Sequence, residues 1–120
     1  MKVLLVNGSS RKNGCTSVAL SEVERALKEE AIETEPFFIG NEALPDCIAC
    51  RKCRKTGRCI FQDSVNEFAE KAKSADGFIF GSPVYFAHPS GRLCRLYLLL
   101  IGITFTAQSR KRWQRIKKGL

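Results

Sequence analysis

The sequence predicts an α/β domain built around a doubly wound parallel β-sheet. Three observations support this prediction: short apolar runs that end in glycine or serine, amphipathic segments with helical spacing, and the regular alternation of the two along residues 1–86. Such alternation is typical of chains that cover both faces of a parallel sheet with helices. At 120 residues, the chain is expected to form one domain with a modest core.

The first part of the pattern gives a strand, a helix and a second strand. Residues 3–6 form a continuous apolar run, which is typical of a strand buried on both faces. Residues 15–31 carry apolar side chains at helical spacing with Glu and Lys between them, so they are predicted to form an amphipathic helix. Residues 37–39 are predicted to be an edge strand, because Pro36 lacks an N–H donor.

The second part of the pattern gives another helix and strand. Ser64 and Glu67 match a capping box, so a helix is predicted to begin at Ser64. A turn at residues 74–77 leads into a third buried strand at residues 78–80. The predicted element order is therefore β-α-β-loop-α-β, without internal repeats or low-complexity linkers.

The net charge of +8 lies at one end of the chain. Residues 1–91 carry 12 basic and 12 acidic side chains, whereas residues 92–120 carry eight basic and no acidic ones. This neutral body argues against specific nucleic-acid binding, and residues 109–118 are predicted to be a solvated basic segment rather than a membrane or nucleic-acid contact.

Cysteine usage and apolar run length bear on the location of the protein. Met1 leads directly into a strand-like run rather than into a signal peptide. Six cysteines without an export signal predict a reducing, cytoplasmic location. The longest apolar run, residues 96–103, is too short for a transmembrane helix, so no transmembrane segment is expected.

Three unusual loops are expected to meet at one edge of the sheet. They are residues 7–17, 45–60 and 81–91. The loops that follow parallel strands leave the sheet at the same edge, where the ligands of such folds bind. The sequence therefore predicts a single site made of all three.

The first loop has chemistry that suits a phosphate group. Gly8 and Gly14 permit close backbone approach, Arg11 offers a forked cation, and the following helix offers free N–H groups. Its hydroxyl groups belong to Ser9, Ser10, Thr16 and Ser17. The loop is neither a Walker A motif nor a dinucleotide-binding G-x-G-x-x-G. A polar loop that only caps a helix explains the same residues equally well.

The third loop has chemistry that suits a flat ring. The segment GSPVYF places a rigid Pro83 and two aromatic rings, Tyr85 and Phe86, after a strand, where they can flank a planar ligand. A buried turn would explain Pro83 and Phe86 but not the phosphate-like loop beside them.

Together these motifs resemble a known family. The segments NGSSRKNGCT, C-x-x-C-x-x-C with a fourth cysteine, KTGRCIFQD and ADGFIFGSPVYF occur in this order over residues 1–93. They are similar to the flavodoxin-like NAD(P)H-dependent FMN reductases, specifically to the iron–sulfur flavoprotein branch. Ser10, Cys15 and Ser64 depart from that pattern, which usually has proline, asparagine and aspartate there.

The resemblance implies an FMN site made of the first and third loops. The residues implied for the phosphate are Ser9, Arg11, Thr16 and Ser17, with Asn13 near the ribityl chain. Those implied for the isoalloxazine ring are Pro83, Val84, Tyr85 and Phe86.

The resemblance also implies that the cysteine loop holds a four-iron, four-sulfur cluster. The implied ligands are Cys47, Cys50, Cys53 and Cys59. Three cysteines at i, i+3 and i+6 with a fourth after a glycine bend can supply four thiolates. Zinc and free reactive thiols are the alternatives, although structural zinc sites more often use two separate C-x-x-C pairs. Four basic residues would offset the cluster charge or attract the extra phosphate of NADPH: Lys52, Arg54, Lys55 and Arg58.

The last part of the chain departs from the family. Residues 94–120 are acid-free and unlike it, which predicts a partial domain at residues 1–93 followed by an atypical basic tail. We interpret the change as a reading-frame shift that gives a truncated, incomplete flavodoxin-like sheet. Residues 102–107 could supply a fourth strand. Without outer strands, residues 78–80 would form an open edge, so homo-oligomerisation is expected.

The predicted function is a flavin-dependent oxidoreductase. Electrons would pass from NAD(P)H through FMN to a small acceptor, with the iron–sulfur cluster as a route for single electrons. The alternative is a non-catalytic remnant, or a metal-binding or interaction module that uses the cysteine loop. His88 is expected to be an exposed loop residue rather than a neighbour of the flavin.

Overall fold

The computed structural model describes residues 1–102. Its strands are β1 (Lys2–Asn7), β2 (Glu33–Phe38) and β3 (Gly77–Gly81), followed by the short β4 (Val84–Tyr85) and β5 (His88–Pro89). Its helices are α1 (Cys15–Glu29), α2 (Cys53–Thr56) and α3 (Ser64–Ala72), and residues 91–102 are also helical and are called α4. The described helices include none that is both long and apolar enough to cross a membrane.

The main sheet is parallel throughout and has the strand order β2-β1-β3. Val6 of the central strand pairs with Phe37 on one side and with Phe80 on the other. Pro36 lies in an edge strand, as its missing N–H predicts. This order is that of an incomplete flavodoxin-like sheet, and the predicted fold class is confirmed.

Strand β1 is buried on both faces of the sheet. Leu4 and Val6 are fully buried in the main apolar cluster, which also contains Phe68 of α3. Leu5 is equally buried and points to the opposite face, because successive side chains of a strand alternate. The ring of Phe68 lies 5.1 Å from that of Phe37 and 5.9 Å from that of Phe78, so this one side chain of α3 lies between rings of β2 and β3.

Helix α4 packs into the same core as strand β1 and helix α3. Its buried apolar side chains are Leu93, Leu96, Leu99 and Leu100. Arg92 fixes the start of the helix to the end of β2, since its guanidinium donates to the carbonyl of Gly40 (2.6 Å) and to Oδ1 of Asn41 (2.8 Å). The division at residue 93 stays a prediction. The proposed fourth strand and the basic segment lie outside the described residues, apart from Gly102, which is helical.

Two element boundaries differ from the sequence prediction by two residues or more. Helix α1 ends at Glu29 rather than at residue 31, because Ala31 adopts the left-handed region (φ 57°) that commonly ends a helix. Strand β2 begins at Glu33, four residues before the predicted start. Its first half is charged and lacks the apolar character of a buried strand, and its carboxylates are accommodated by ion pairs such as Lys2–Glu35 (2.7 Å).

The predicted cap of α3 is wrong by one residue. Asp63, not Ser64, is the N-cap, and its carboxylate accepts a hydrogen bond from the backbone N–H of Val65 (3.0 Å). Ser64 is the first helical residue, and its buried hydroxyl has no hydrogen-bond partner within residues 1–102. An acidic cap is favoured because the carboxylate also interacts with the positive end of the helix dipole.

Glu35 makes stability depend on pH at the edge of the sheet. Hydrogen bonds from Lys2 and Lys71 lower the pKa of its carboxyl group from the usual value. A carboxyl whose pKa is lowered by folding contributes stability above its unfolded pKa of about 4.3, and this contribution is lost as the pH falls through the folded value.

We therefore expect Glu35→Gln to destabilise the protein at about pH 6 and to have little effect at about pH 3. Urea denaturation followed by circular dichroism at both values measures this difference. Glu30→Gln, at an exposed carboxylate after α1, is the control and should show no such convergence. An unchanged gap between wild type and Glu35→Gln at the lower pH would contradict the assignment.

Candidate functional site

The three parallel strands end at one edge of the sheet. Strand β1 ends at Asn7, β2 at Phe38 and β3 at Gly81. The loops that follow them are called loop A (residues 8–14), loop B (residues 39–52) and loop C (residues 82–90). Their shared edge is the one at which ligands of open α/β sheets bind.

Hydrogen bonds join loop A directly to loop C. The backbone N–H of Gly8 donates to the carbonyl of Gly81 (2.8 Å), and the buried hydroxyl of Ser90 donates to the carbonyl of Gly8 (2.6 Å). The N–H of Ser90 in turn donates to Oγ of Ser82 (2.8 Å). The first and third predicted loops are therefore neighbours, as the topology requires.

Two glycines make this junction possible. A Cβ atom on Gly8 would lie 3.0 Å from Cβ of Leu93 and 3.1 Å from Oγ of Ser90. A Cβ atom on Gly81 would lie 2.9 Å from both Thr16 and Leu20 of α1. At both positions a Cβ atom would lie closer to its neighbours than Cβ atoms usually do, which explains the glycines.

Loop A is organised by its own side chains. Oδ1 of Asn7 accepts from the N–H of Ser9 (2.9 Å), and Oγ of Ser9 accepts from the N–H of Arg11 (3.1 Å). The loop ends at Gly14, the N-cap of α1, which provides no side-chain hydrogen bond to the helix. The first turn of α1 thus keeps its N–H groups without a side-chain cap, and this arrangement fits a phosphate group.

The polar side chains of loop A and of the first turn of α1 differ in their surroundings. Ser9 is buried at the junction with loop C, whereas Arg11 is exposed. Asn13 and Ser17 line a cleft of about 150 Å³ between α1 and β2. Thr16 is half-buried against Gly81.

Loop C forms a separate hairpin with exposed apolar side chains. Strands β4 and β5 pair antiparallel, and Phe86 and Ala87 at the tip both have positive φ angles (48° and 61°). Phe86 is fully exposed, Val84 and Tyr85 are largely exposed, and Pro83 is half-buried. The alternative of a buried turn is therefore wrong for Phe86, and the rings are available to a ligand.

His88 is exposed, as predicted, but it lies in strand β5 rather than in a loop. Its Nδ1 atom lies 2.9 Å from the carbonyl of Pro89 and 3.8 Å from Sγ of Cys94.

The four predicted cluster cysteines share one cavity, called the cysteine cavity. It has a volume of about 460 Å³ and lies between the cysteine segment (residues 45–60) and α4. Cys47 and Cys50 are exposed, whereas Cys53 and Cys59 are half-buried. Within residues 1–102, no three thiol, imidazole or carboxyl groups are close enough to act as ligands of one metal ion.

The donor chemistry of the cysteine cavity fits a thiolate-bound iron–sulfur group, because all four thiols border the same space. The four thiols line the same cavity but lie too far apart to bind one metal ion together. Binding an iron–sulfur group therefore requires the cysteine segment to move so that the thiols come closer to one another. The cavity borders α4 and no residue of loops A or C. Gly91, which ends the predicted third loop, borders it as the first residue of α4.

Sequence reasoning missed Asn66, the residue that anchors this segment. The Asn66 side chain is buried on α3; its Oδ1 accepts from the N–H of Cys59 (2.8 Å), and its Nδ2 donates to the carbonyls of Cys59 (3.0 Å) and Phe61 (2.8 Å). A polar residue among the apolar positions Val65, Phe68 and Ala69 was the available signal.

Sequence reasoning also missed the part of the cavity wall made by α4. Cys94 and Arg95 border the cysteine cavity. Arg95 was counted with the basic excess of the tail, yet it is 8% exposed. A single basic residue within a leucine-rich helical stretch was the signal for a buried role.

The topology and the A–C junction define an α/β protein of the flavodoxin type, with its ligand edge at the ends of β1 and β3. A model of the family described as NADPH-dependent FMN reductase matches residues 1–114, and the chain belongs to this family.

Several curated proteins that are similar to the chain are iron–sulfur flavoproteins. One from Methanocaldococcus jannaschii is 43% identical over 93 residues, which cover 78% of this chain and 48% of that protein. One from Methanosarcina thermophila is 37% identical over 98 residues, covering 81% and 51%, and one from Clostridioides difficile is 38% identical over 97 residues, covering 76% and 42%. The resemblance to this branch is confirmed, and the chain spans about half the length of the curated relatives it matches.

Proposed function

We propose that the chain is the flavin-binding part of an NAD(P)H-dependent oxidoreductase that carries an iron–sulfur cluster. The observation that carries the proposal is the A–C junction, where Gly8, Gly81 and Ser90 bring an uncapped helix start and an exposed aromatic hairpin to one edge. The family match and the names of the relatives support FMN as the cofactor.

Loop A and the first turn of α1 would bind the phosphate of FMN. The guanidinium of Arg11 would pair with it, and N–H groups of the helix start would donate to it. The hydroxyl groups proposed to donate as well belong to Ser9, Thr16 and Ser17, with Asn13 beside the ribityl chain. These groups position the cofactor and transfer no proton.

Loop C would hold the flat part of the cofactor. Tyr85 and Phe86 are exposed and present aromatic surface, while Pro83 and Val84 would complete an apolar contact that excludes water. A bound flavin would supply the redox chemistry, for which these side chains would hold it in place.

The cysteine segment would hold a four-iron, four-sulfur cluster through Cys47, Cys50, Cys53 and Cys59. The exposed cations Lys52, Arg54, Lys55 and Arg58 would attract NADPH or an anionic acceptor. The exposed thiols of Cys47 and Cys50 support a second candidate, a metal-binding or interaction module without turnover. The electron donor, the small acceptor and the cytoplasmic location stay predictions.

Self-association is proposed from the described edge of the sheet. Strand β3 is an edge strand among residues 1–102, and its Phe78 and Phe80 are exposed. An exposed apolar edge strand favours pairing with another chain.

The central test is FMN binding by Arg11→Met. We expect this change to raise the FMN dissociation constant about 10- to 100-fold, because a charge-assisted contact to phosphate contributes about 1.5–3 kcal/mol. Flavin fluorescence quenching measures the constant. Absorption spectra, metal and sulfide analysis and NADH or NADPH oxidation of the wild-type protein complete the test.

Lys12→Met is the matched control, because it removes the same charge from the adjacent exposed residue. An equal loss of FMN affinity in both variants would mean that FMN binding depends on the total charge of the loop rather than on a specific contact of Arg11. A colourless wild-type protein that binds no added FMN would refute the proposed flavin site, and zinc without sulfide would favour the second candidate.

A further inference from the structure

Arg95 is a buried cation without an adequate partner. Its side chain is 8% exposed, and its Nε and Nη2 atoms are buried without a hydrogen-bond partner within residues 1–102. The nearest carboxylate, Oδ1 of Asp46, lies 3.8 Å from Nε, beyond hydrogen-bond distance, and the Asp46 side chain is fully exposed to solvent.

Such an arrangement is costly as it stands. Removing a charged group from water is compensated only when the charge is paired and its donors are satisfied. Among the described residues, Arg95 is the only buried charged side chain. A solvent-exposed carboxylate at this distance offsets little of the cost.

The side chain borders the cysteine cavity, where an anion can offset this cost. The cavity wall combines apolar side chains, such as Ile48, Leu98 and Leu99, with the thiols of the cysteine segment. Four thiolates around an iron–sulfur core carry net negative charge. Arg95 would supply a desolvated cation on the α4 side.

We propose that Arg95 is the counter-charge of the iron–sulfur cluster held in the cysteine cavity, and that it stabilises the bound cluster and raises its reduction potential. The inference rests on the cluster part of the proposed function. Reduction adds one electron to the cluster, so a neighbouring buried cation favours the reduced form. The cations of the cysteine segment are exposed and screened by water and salt, and they have a smaller influence.

The test compares Arg95→Met with wild type after anaerobic reconstitution with iron and sulfide. Methionine keeps an apolar stem in the cavity wall and removes the charge. We expect iron loss to a chelator to become about tenfold faster, as is typical when a partner of a metal ligand is removed. We also expect a lower midpoint potential in a dithionite titration followed by electron paramagnetic resonance.

Two further variants make the result specific. Arg95→Lys keeps the charge and should restore part of both properties, whereas Arg54→Met removes an exposed cation of the cysteine segment and should behave like wild type. Urea midpoints are measured for all variants. If Arg95→Met lowers the urea midpoint, its comparison with wild type is replaced by the comparison of Arg95→Lys with Arg95→Gln.

The outcomes separate this inference from the function on which it rests. The role of Arg95 would be overturned, and the cluster would not, if Arg95→Met kept the iron retention and the reduction potential of the wild type. The same holds if Arg95→Lys and Arg95→Met lost iron equally fast and had equally lowered potentials. A wild-type protein that binds FMN but takes up zinc or no metal would overturn the cluster and this inference together, leaving the flavin site intact.

Discussion

Replacing Leu96 by alanine is expected to lower the free energy of unfolding by about 2–5 kcal/mol, the usual range for emptying a fully buried leucine site. Leu96 is completely buried on α4, in the cluster that contains Val6 of the central strand and Phe68 of α3. Removing its side chain would leave a cavity where α4 covers the sheet. Because small domains are stable by only about 5–15 kcal/mol, the loss would be a large part of the total.

Urea denaturation of Leu96→Ala, followed by circular dichroism, measures this loss. The matched control is Leu98→Ala, the same change two residues later on the exposed side of the same helix. It should change the stability by no more than about 0.5 kcal/mol. If the two variants were equally stable, α4 would not be part of the core. Residues 94–102 would then belong to the predicted basic tail rather than to the domain.

The order of strands and helices could be predicted because each element carries its own pattern. The apolar run of residues 3–6, which is followed by glycine and serine, favours a strand buried on both faces, and β1 is that strand. Pro36 likewise restricts its strand to an edge. Such signals are local and depend little on the rest of the chain.

The elements that were misjudged depend on residues far away in sequence. The charged start of β2 is accommodated because Lys2 and Lys71 reach Glu35 from two other elements. The role of α4 was hidden because Arg92 and Arg95 read as basic excess, although one binds the end of β2 and the other is buried. Only the packed structure shows these contacts and this burial.

The candidate site shows the same division. Loops A and C could be expected to meet, since the carboxyl ends of parallel strands lie together, and hydrogen bonds at Gly8 and Ser90 join them. That the cysteine segment instead faces α4 could not be predicted, because no rule of sheet topology fixes where a long loop folds back. The polar residue on the apolar side of α3 marks its anchor, Asn66, but the partners of Asn66 are backbone groups that carry no sequence signal.

Replacing Gly8 by alanine is expected to separate loop A from loop C. The added Cβ atom would lie 3.0 Å from Cβ of Leu93, 3.1 Å from Oγ of Ser90 and 3.2 Å from the carbonyl oxygen of Gly81. The last of these is a backbone atom that cannot rotate away. Because the hydrogen bonds of Gly8 to Gly81 and Ser90 would have to lengthen, we expect a loss of about 1–3 kcal/mol in stability.

The same change is expected to weaken FMN binding about tenfold or more, since the two loops proposed to hold the phosphate and the ring would no longer be in register. Fluorescence titration with FMN and urea denaturation measure the two effects. Gly91→Ala is the control, because a Cβ atom there would meet nothing within 4 Å at the first turn of α4. Should Gly8→Ala bind FMN as tightly as Gly91→Ala, the A–C junction would not organise the flavin site.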